Sequence, residues 1–376
     1  MTATAPPATL TSAGTFKTRW MDGLVAAYSR TVRRAPGAFG VVSRHSPRRG
    51  KVAVVIGGGC GHYPAFAGLV GPGLADAAVV GDVFTSPSAE QVHRTARAVD
   101  GGAGVLFGYG NYAGDVMHFG LAARRLAADG VDTRTVLVTD DVASAPAERA
   151  ADRRGVAGDL VVFKVAGAAA ERGDDLATVA ALAEHANART RTFGAAFGGC
   201  TLPGQTEPLF TVDPAEIELG LGIHGEPGMR TASAMDARDL ADALVDALLP
   251  QLPDGGDGRV AVLLNGLGST PYEDLFVTYG RVHERLVAAG LHPHRPEVGE
   301  FVTSMDMAGL SLTLTPLDDT LAELYDAPCE TPGFRLPAGG TLTDAAPAAV
   351  DDDRSAPAAA PDDTGPDDTG PDAGGT

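Results

Sequence analysis

The sequence predicts an α/β protein of two domains followed by a disordered acidic tail, and three observations carry that class. Short apolar runs such as residues 52–56 and 160–163 are continuous instead of alternating, as expected of strands covered on both faces. Between such runs lie stretches with apolar residues at helical spacing, so strands and helices take turns along the chain. Glycine supplies 49 of 376 residues, about 13%, roughly twice ordinary usage. That excess calls for many tight turns.

The elements follow in order. Residues 16–28 read as a helix, with Phe16, Trp20, Leu24 and Ala27 on one face. Residues 51–56 read as a buried strand, 88–99 as a helix after a proline-containing turn, 104–108 as a short strand, 115–129 as a helix and 135–139 as a strand. A further strand at 160–165 leads through Gly167 into alanine-rich helices reaching about Thr190. The character then changes, with the glycine-rich FGAAFGGCTLPG and a new strand at 209–212. A domain boundary near residue 190 follows, giving one domain over 1–190 and a second over 191–335. The second holds a strand at 216–223, an amphipathic helix at 237–249, a buried strand at 260–265, a helix at 272–289, and strands at 301–302 and 310–314 that complete a smaller sheet.

Residues 336–376 form the tail. From Asp344 onward it carries nine aspartates and one arginine, eight of the nineteen net negative charges, with a PDDTG repeat and almost no large apolar side chain. Such a segment cannot offset the entropy of ordering. With 29 Lys+Arg against 48 Asp+Glu, the chain lacks the clustered cations that phosphate backbones require, which argues against nucleic acid as a partner. No apolar run approaches the roughly 18 residues of a membrane helix, and no secretory signal opens the chain, so a cytoplasmic location is expected. Cys60, Cys200 and Cys329 are widely spaced and odd in number, which suits a reducing compartment and gives no metal-binding pattern.

Three glycine-rich segments carry candidate chemistry. In VVIGGGCGHYP a strand runs into Gly57, Gly58, Gly59, Cys60, Gly61 and His62. Such glycines let backbone amides approach a small ligand, although they also serve packing turns. No Lys-Ser/Thr follows to complete a phosphate loop, and Asp76 or Asp82 fits a dinucleotide fingerprint only loosely. His62 can act as acid, base or hydrogen-bond donor there, or can simply cap or pack. In FGYGNYAGDVMHFG, Gly110 and its neighbours turn before a helix, and Asp115 either caps that helix or acts on a ligand. In GLGIHGEPGM, His224 stands in a non-helical turn ahead of Glu226, either facing a ligand as a nucleophile or merely exposed.

These segments, with GDVFTSPS and RRGVAGDLVVFKVAGAAAE, stand in the order seen in the dihydroxyacetone kinase family, and the resemblance to its substrate-binding K-type subunit runs from about residue 16 to 335. The resemblance implies two α/β domains, a homodimer, and a role in glycerol catabolism. It also implies that His224 captures a short ketose as a covalent hemiaminal. His62 and Asp115 would activate the terminal hydroxyl, one as base and one as hydrogen-bond partner, while Gly59, Cys60, Gly61 and Gly110 surround the substrate. No metal site is implied in this chain. The nucleotide, ATP or ADP with Mg²⁺, is expected on a separate L-type domain or subunit, the alternative being a phosphotransferase-system donor.

This chain departs from the family where GGGSGHEP becomes GGGCGHYP and KNYTGD becomes GNYAGD. Gly110 thus replaces a lysine beside the substrate and leaves space. A branch acting on erythrulose is similar at GHYPAFAGLVG, so the ketose is dihydroxyacetone or a tetrulose. A non-catalytic, ketose-sensing regulatory module is the reading from a different functional class. The 376 residues are thus expected to be the ketose-binding half of a kinase.

Overall fold

Two six-stranded sheets organise the computed structural model, which describes residues 12–253 and 257–338, all within one compact unit. The acidic tail lies outside the described residues beyond 338.

The first sheet contains β1 (Val32–Arg34), β2 (Gly40–Ser43), β3 (Ala53–Cys60), β4 (Ala77–Val83), β5 (Val105–Gly110) and β6 (Thr133–Val138), in spatial order β1-β2-β4-β3-β5-β6. Strands β4, β3, β5 and β6 are parallel, and β2 and β1 extend one edge antiparallel. The chain steps from β3 to β4 on one side, then returns to place β5 on the other. A reversal of this kind opens a crevice at the carboxyl ends of the strands. The glycines of β3 and Gly110 of β5 stand at that end.

The continuous apolar run of β3 is explained by two cores. Val54 and Ile56 enter one with helices α4 (Asp159–Arg172) and α5 (Leu176–Arg189). Ala53 and Val55 enter the other, with α2 (Ala89–Val99) and α3 (Ala113–Ala128). Helix α1 (Ala13–Ala27) lays Met21 and Leu24 against the first core.

The second sheet contains β7 (Arg191–Ala196), β8 (Glu216–Leu219), β9 (Arg230–Ser233), β10 (Arg259–Gly266), β11 (His292–Gly299) and β12 (Gly309–Pro316), in order β11-β10-β12-β7-β8-β9. Only β10 and β11 pair in parallel. In β12, Leu310, Leu312 and Leu314 pack on one face with residues of α6 (Ala237–Leu248) and α7 (Tyr272–Ala288). Its alternate residues are buried and polar, and they find partners: Thr313 pairs with Thr192 at 2.7 Å and Thr315 with Thr190 at 3.0 Å. From β10, Ala261 and Leu263 join the same core as Val54 and Ile56, so one apolar body connects the two sheets.

The α/β class stands, and several element assignments change. Residues 160–165, read as a strand, lie inside α4, which is buried along nearly its whole length. A helix surrounded by protein needs no polar stripe, and a short apolar run cannot distinguish the two states. Its backbone passes Leu74 so closely that a Cβ on Gly167 would lie 2.1 Å from the Leu74 carbonyl oxygen. Residues 209–212 and 301–302 are irregular, and the strand expected over 216–223 ends at Leu219. Strands β1, β2, β4, β7, β9 and β11 were not anticipated. Among the described residues, no helix is long and apolar enough to cross a membrane.

Candidate functional site

The expected glycine loop is the end of a strand, since β3 continues through Cys60. Its glycines serve two purposes. A Cβ on Gly58 would lie 2.3 Å from the Phe66 ring, and one on Gly59 would lie 2.7 Å from the Thr85 amide nitrogen. Close packing on one side thus keeps Gly57, Gly58 and Gly59 bare, and the same residues line a small cavity. His62, Phe66, Gly110, Tyr112, Asp115, Gly155, Asp159, Ile223 and His224 complete its wall. Its open volume is about 20 Å³, room for little more than one water.

His62 and His224 meet here from 162 residues apart. His62 follows β3; it is buried, its ring stacks on Phe84 at 5.0 Å, and Nδ1 lies 2.7 Å from the Thr303 carbonyl oxygen. Phe84 itself has φ near 55°, a left-handed backbone that a bulky residue adopts only when its surroundings enforce it. Thr303 is placed from the second sheet. Asn265 of β10 accepts bonds from the Phe301 and Val302 amides at 2.8 and 2.9 Å and donates to the Val302 carbonyl at 2.9 Å.

His224 lies in the turn between β8 and β9, closed by a bond from the Gly225 amide to the Gly222 carbonyl at 3.0 Å, with Gly225 at φ 79°. Its Nε2 is 3.1 Å from His62 Nε2, and its Nδ1 is 3.0 Å from Glu226 Oε1. Glu226 also accepts the His224 amide at 2.9 Å and sits 3.8 Å from Arg154. Tyr112 and Phe84 meet the His224 ring edge to face at 4.8 and 5.3 Å.

Counting donors fixes the protons. Because Thr303 offers a carbonyl oxygen, His62 Nδ1 carries a hydrogen; burial, with His224 nearby, lowers the His62 pKa to about 3, so its Nε2 is a bare acceptor. His224 must therefore donate from Nε2 to His62. Its Nδ1 faces Glu226, whose carboxyl burial alone would raise but which the bond and charge of His224 hold down to about 2. Both contacts are hydrogen bonds when the two His224 ring nitrogens each carry a hydrogen.

Asp115 sits in the first turn of α3 without capping it. The side chain lines the cavity and is 8% exposed, and among the described residues Oδ1 has no hydrogen-bond partner. Burial raises its pKa to about 6, against the pull of a bond from Ser86 and the nearby His224 charge. The structure thus brings His62, Asp115, His224, Gly59 and Gly110 to one cavity. Cys60 and Gly61 are not among its lining residues: burial pushes the Cys60 thiol up to about 11, and Gly61, at φ 107°, borders a separate groove with Trp20 and Met305.

Sequence reasoning gave no role to Glu226, Thr303, Tyr112 or Asp159. Glu226 was legible in principle, since a carboxylate two residues after a histidine in a glycine turn can fold back onto the ring. Thr303 carried no signal, because its contacts lie 241 and 240 residues away: its carbonyl accepts from His62, and its hydroxyl donates to the Tyr63 carbonyl at 3.0 Å.

Comparison with known proteins gives a consistent set of likenesses. Residues 22–333 match the Dak1 domain family. An L-erythrulose 1-kinase of Mycolicibacterium smegmatis is 54% identical over 330 residues, covering 87% of this chain and 57% of its own length. The dihydroxyacetone-binding subunit DhaK of PTS-dependent dihydroxyacetone kinase 2 of Listeria innocua is 47% identical over 317 residues, covering 84% of this chain and 95% of that subunit. The crystal structure of the dihydroxyacetone kinase of C. freundii superimposes with a TM-score of 0.78 at 35% identity, over 88% of this chain and 60% of that one. The chain thus spans little more than half the length of the erythrulose kinase it matches.

Proposed function

This chain belongs to the Dak1 domain family, and on that premise we propose that it is the ketose-binding part of a short-chain ketose kinase, with His224 as the covalent anchor. The observation that carries the proposal is the line of contacts Thr303–His62–His224–Glu226, which offers an imidazole nitrogen to the cavity with a proton acceptor on one side and a counter-ion on the other.

Capture begins when His62 Nε2 takes the proton from His224 Nε2. The freed nitrogen bonds to the ketone carbon, the carbonyl π pair moves to oxygen, and His62 returns the proton to that oxygen. The product is a hemiaminal with a hydroxyl on carbon and a cationic ring opposite Glu226, so charge is unchanged throughout. Burial makes His62 a poor place for a proton to stay, which suits a relay. A polyol such as glycerol offers no carbonyl and is rejected. Fixing the ketone holds its arms in place, and Asp115 then takes the proton of the terminal hydroxyl as a phosphoryl group arrives. The donor, ATP with Mg²⁺ or a phosphotransfer-linked carrier, is held by an L-type domain or subunit, and the assembly is built on a homodimer of this chain.

The cavity must open to admit a ketose, and the turn 220–229 that carries His224 is the wall expected to move. Among ketoses we favour erythrulose, with dihydroxyacetone as the smaller alternative. The support is that the 54% identical relative is named an L-erythrulose 1-kinase; the bare backbone of Gly110 adds no room by itself, since Gly155 and Tyr112 pack against it. The test incubates the chain with dihydroxyacetone and with each erythrulose enantiomer, then looks for the adduct by intact mass and crystallography. Phosphorylation is followed with and without an L-type partner. Wild type should form the adduct and His224→Ala should not. Equal ketose binding by His224→Ala, with no adduct on wild type, would overturn the covalent reading; capture without phosphorylation by any partner would point to a sensor.

A further inference from the structure

Two carboxylates face the His224 cavity, and the steps above use one. The other is Asp159, the first residue of α4, which lines the cavity alongside Asp115, Gly110 and Gly155 and is 2% exposed. Its Oδ1 is buried and, among the described residues, has no hydrogen-bond partner. Structural duties do not account for it. No side-chain cap bond forms at the start of α4, and the backbone there is held instead by Asp140, which accepts the Val156 and Gly158 amides at 2.8 Å each. No cation balances it within ion-pair distance among the described residues. Burial, with Asp140 and Asp115 as its charged neighbours, holds its carboxyl well above the usual range, which favours the protonated form that can donate as well as accept. A buried polar oxygen without a partner requires an explanation, and an absent ligand group is one.

The cavity matches that explanation by count and by shape. Dihydroxyacetone fixed at its carbonyl carbon by His224 has two arms with one hydroxyl each, erythrulose adds a third hydroxyl on its longer arm, and among the described residues the wall presents two carboxyl oxygens without a partner, on Asp115 and Asp159. The space beside Asp159 is kept bare by two glycines in contact: a Cβ on Gly155 would lie 2.4 Å from the Gly110 Cα and 3.1 Å from Asp159 Oδ1. We propose that Asp159 hydrogen-bonds the hydroxyl of the second arm, the one that is not phosphorylated, and thereby determines which ketoses the site retains. The proposal rests on ketose capture at His224 and adds a specificity-determining residue to it.

The test pairs deletions on protein and ligand. Calorimetry measures binding of dihydroxyacetone, both erythrulose enantiomers, and hydroxyacetone, which lacks one arm hydroxyl, to wild type, Asp159→Ala, Asp159→Leu and Asp159→Asn. Wild type should prefer the two-armed ketoses to hydroxyacetone by tenfold or more, on the order expected for a buried hydrogen bond. The Ala and Leu variants should reduce that ratio to within about twofold by weakening the two-armed ketoses alone, whereas Asn, which keeps a donor and an acceptor, should stay within about threefold of wild type. Urea midpoints at or above the wild-type value would show that the variants are folded, since each removes an orphan carboxyl. A wild-type ratio retained in both Ala and Leu, or an equal loss for hydroxyacetone, overturns the Asp159 assignment while His224 capture stands. Absence of any adduct on wild-type His224 overturns the capture reading and the assignment with it.

Discussion

Replacing Asp115 by Asn should stabilise the folded chain at neutral pH while removing its activity. Burial raises this carboxyl from an ordinary value of about 3.9 to about 6. Between those values the folded chain holds a proton that the unfolded chain has released, so stability falls as pH rises, and above about 6 the loss is complete. A rise of that size corresponds to about 3 kcal/mol at 1.36 kcal/mol per tenfold change in proton affinity. Asn keeps the shape and removes the charge, but its own unpaired amide takes back about 1 kcal/mol. The expected gain is therefore about 2 kcal/mol. Urea unfolding of both proteins between pH 4 and 8 measures it: the variant should be the more stable at pH 7 to 8, and the gap should close toward pH 4. In a coupled phosphorylation assay the same variant should lose roughly 100-fold or more in kcat, the usual contribution of a positioned base. A stability gap that does not change with pH, or a variant less stable than wild type at pH 8, would refute the reasoning.

Glu226→Gln leaves the His224 cation without its counter-ion and should lower adduct formation by about 10-fold or more, read by intact mass after incubation with ketose. Gly222→Ala should give the same defect without touching either residue chemically, because its Cβ would lie 2.2 Å from Glu226 Oε2 and displace the carboxylate from the ring. Asn265→Ala should cost about 3 kcal/mol in urea unfolding, since it strands the Phe301 and Val302 amides and the Val302 carbonyl in the interior; by freeing Thr303 it should also slow capture at His224. A variant that unfolds normally yet captures slowly would separate those two effects.

What could be read in the sequence and what could not divides along the distance between interacting residues. The glycines of β3 and the HGEPG turn announce themselves because each needs its special residues within a few positions, and their chemistry, an imidazole held off the main chain in a turn, is local. The strand assigned to 160–165 failed for a related reason. The run Leu160 to Val165 states only that its surroundings are apolar, and helix and strand meet that demand equally once both faces are covered. The strands β1, β2, β7 and β9 are short pieces whose state is decided by pairing partners elsewhere in the chain.

Within the site, the same division separates the reacting atoms from the groups that set their protonation. His224 could be picked out as a nucleophile from its turn, but whether its Nε2 carries a proton depends on His62, 162 residues away, and the state of His62 depends in turn on the Thr303 carbonyl, 241 residues away. That carbonyl is positioned by Asn265, which bonds the backbone at 301–302, and by the Thr303 hydroxyl, which donates to the Tyr63 carbonyl beside His62 at 3.0 Å. Protonation here is a property of the packed assembly of two sheets, and a single substitution at Asn265, far outside any motif, is therefore expected to change the chemistry at His224.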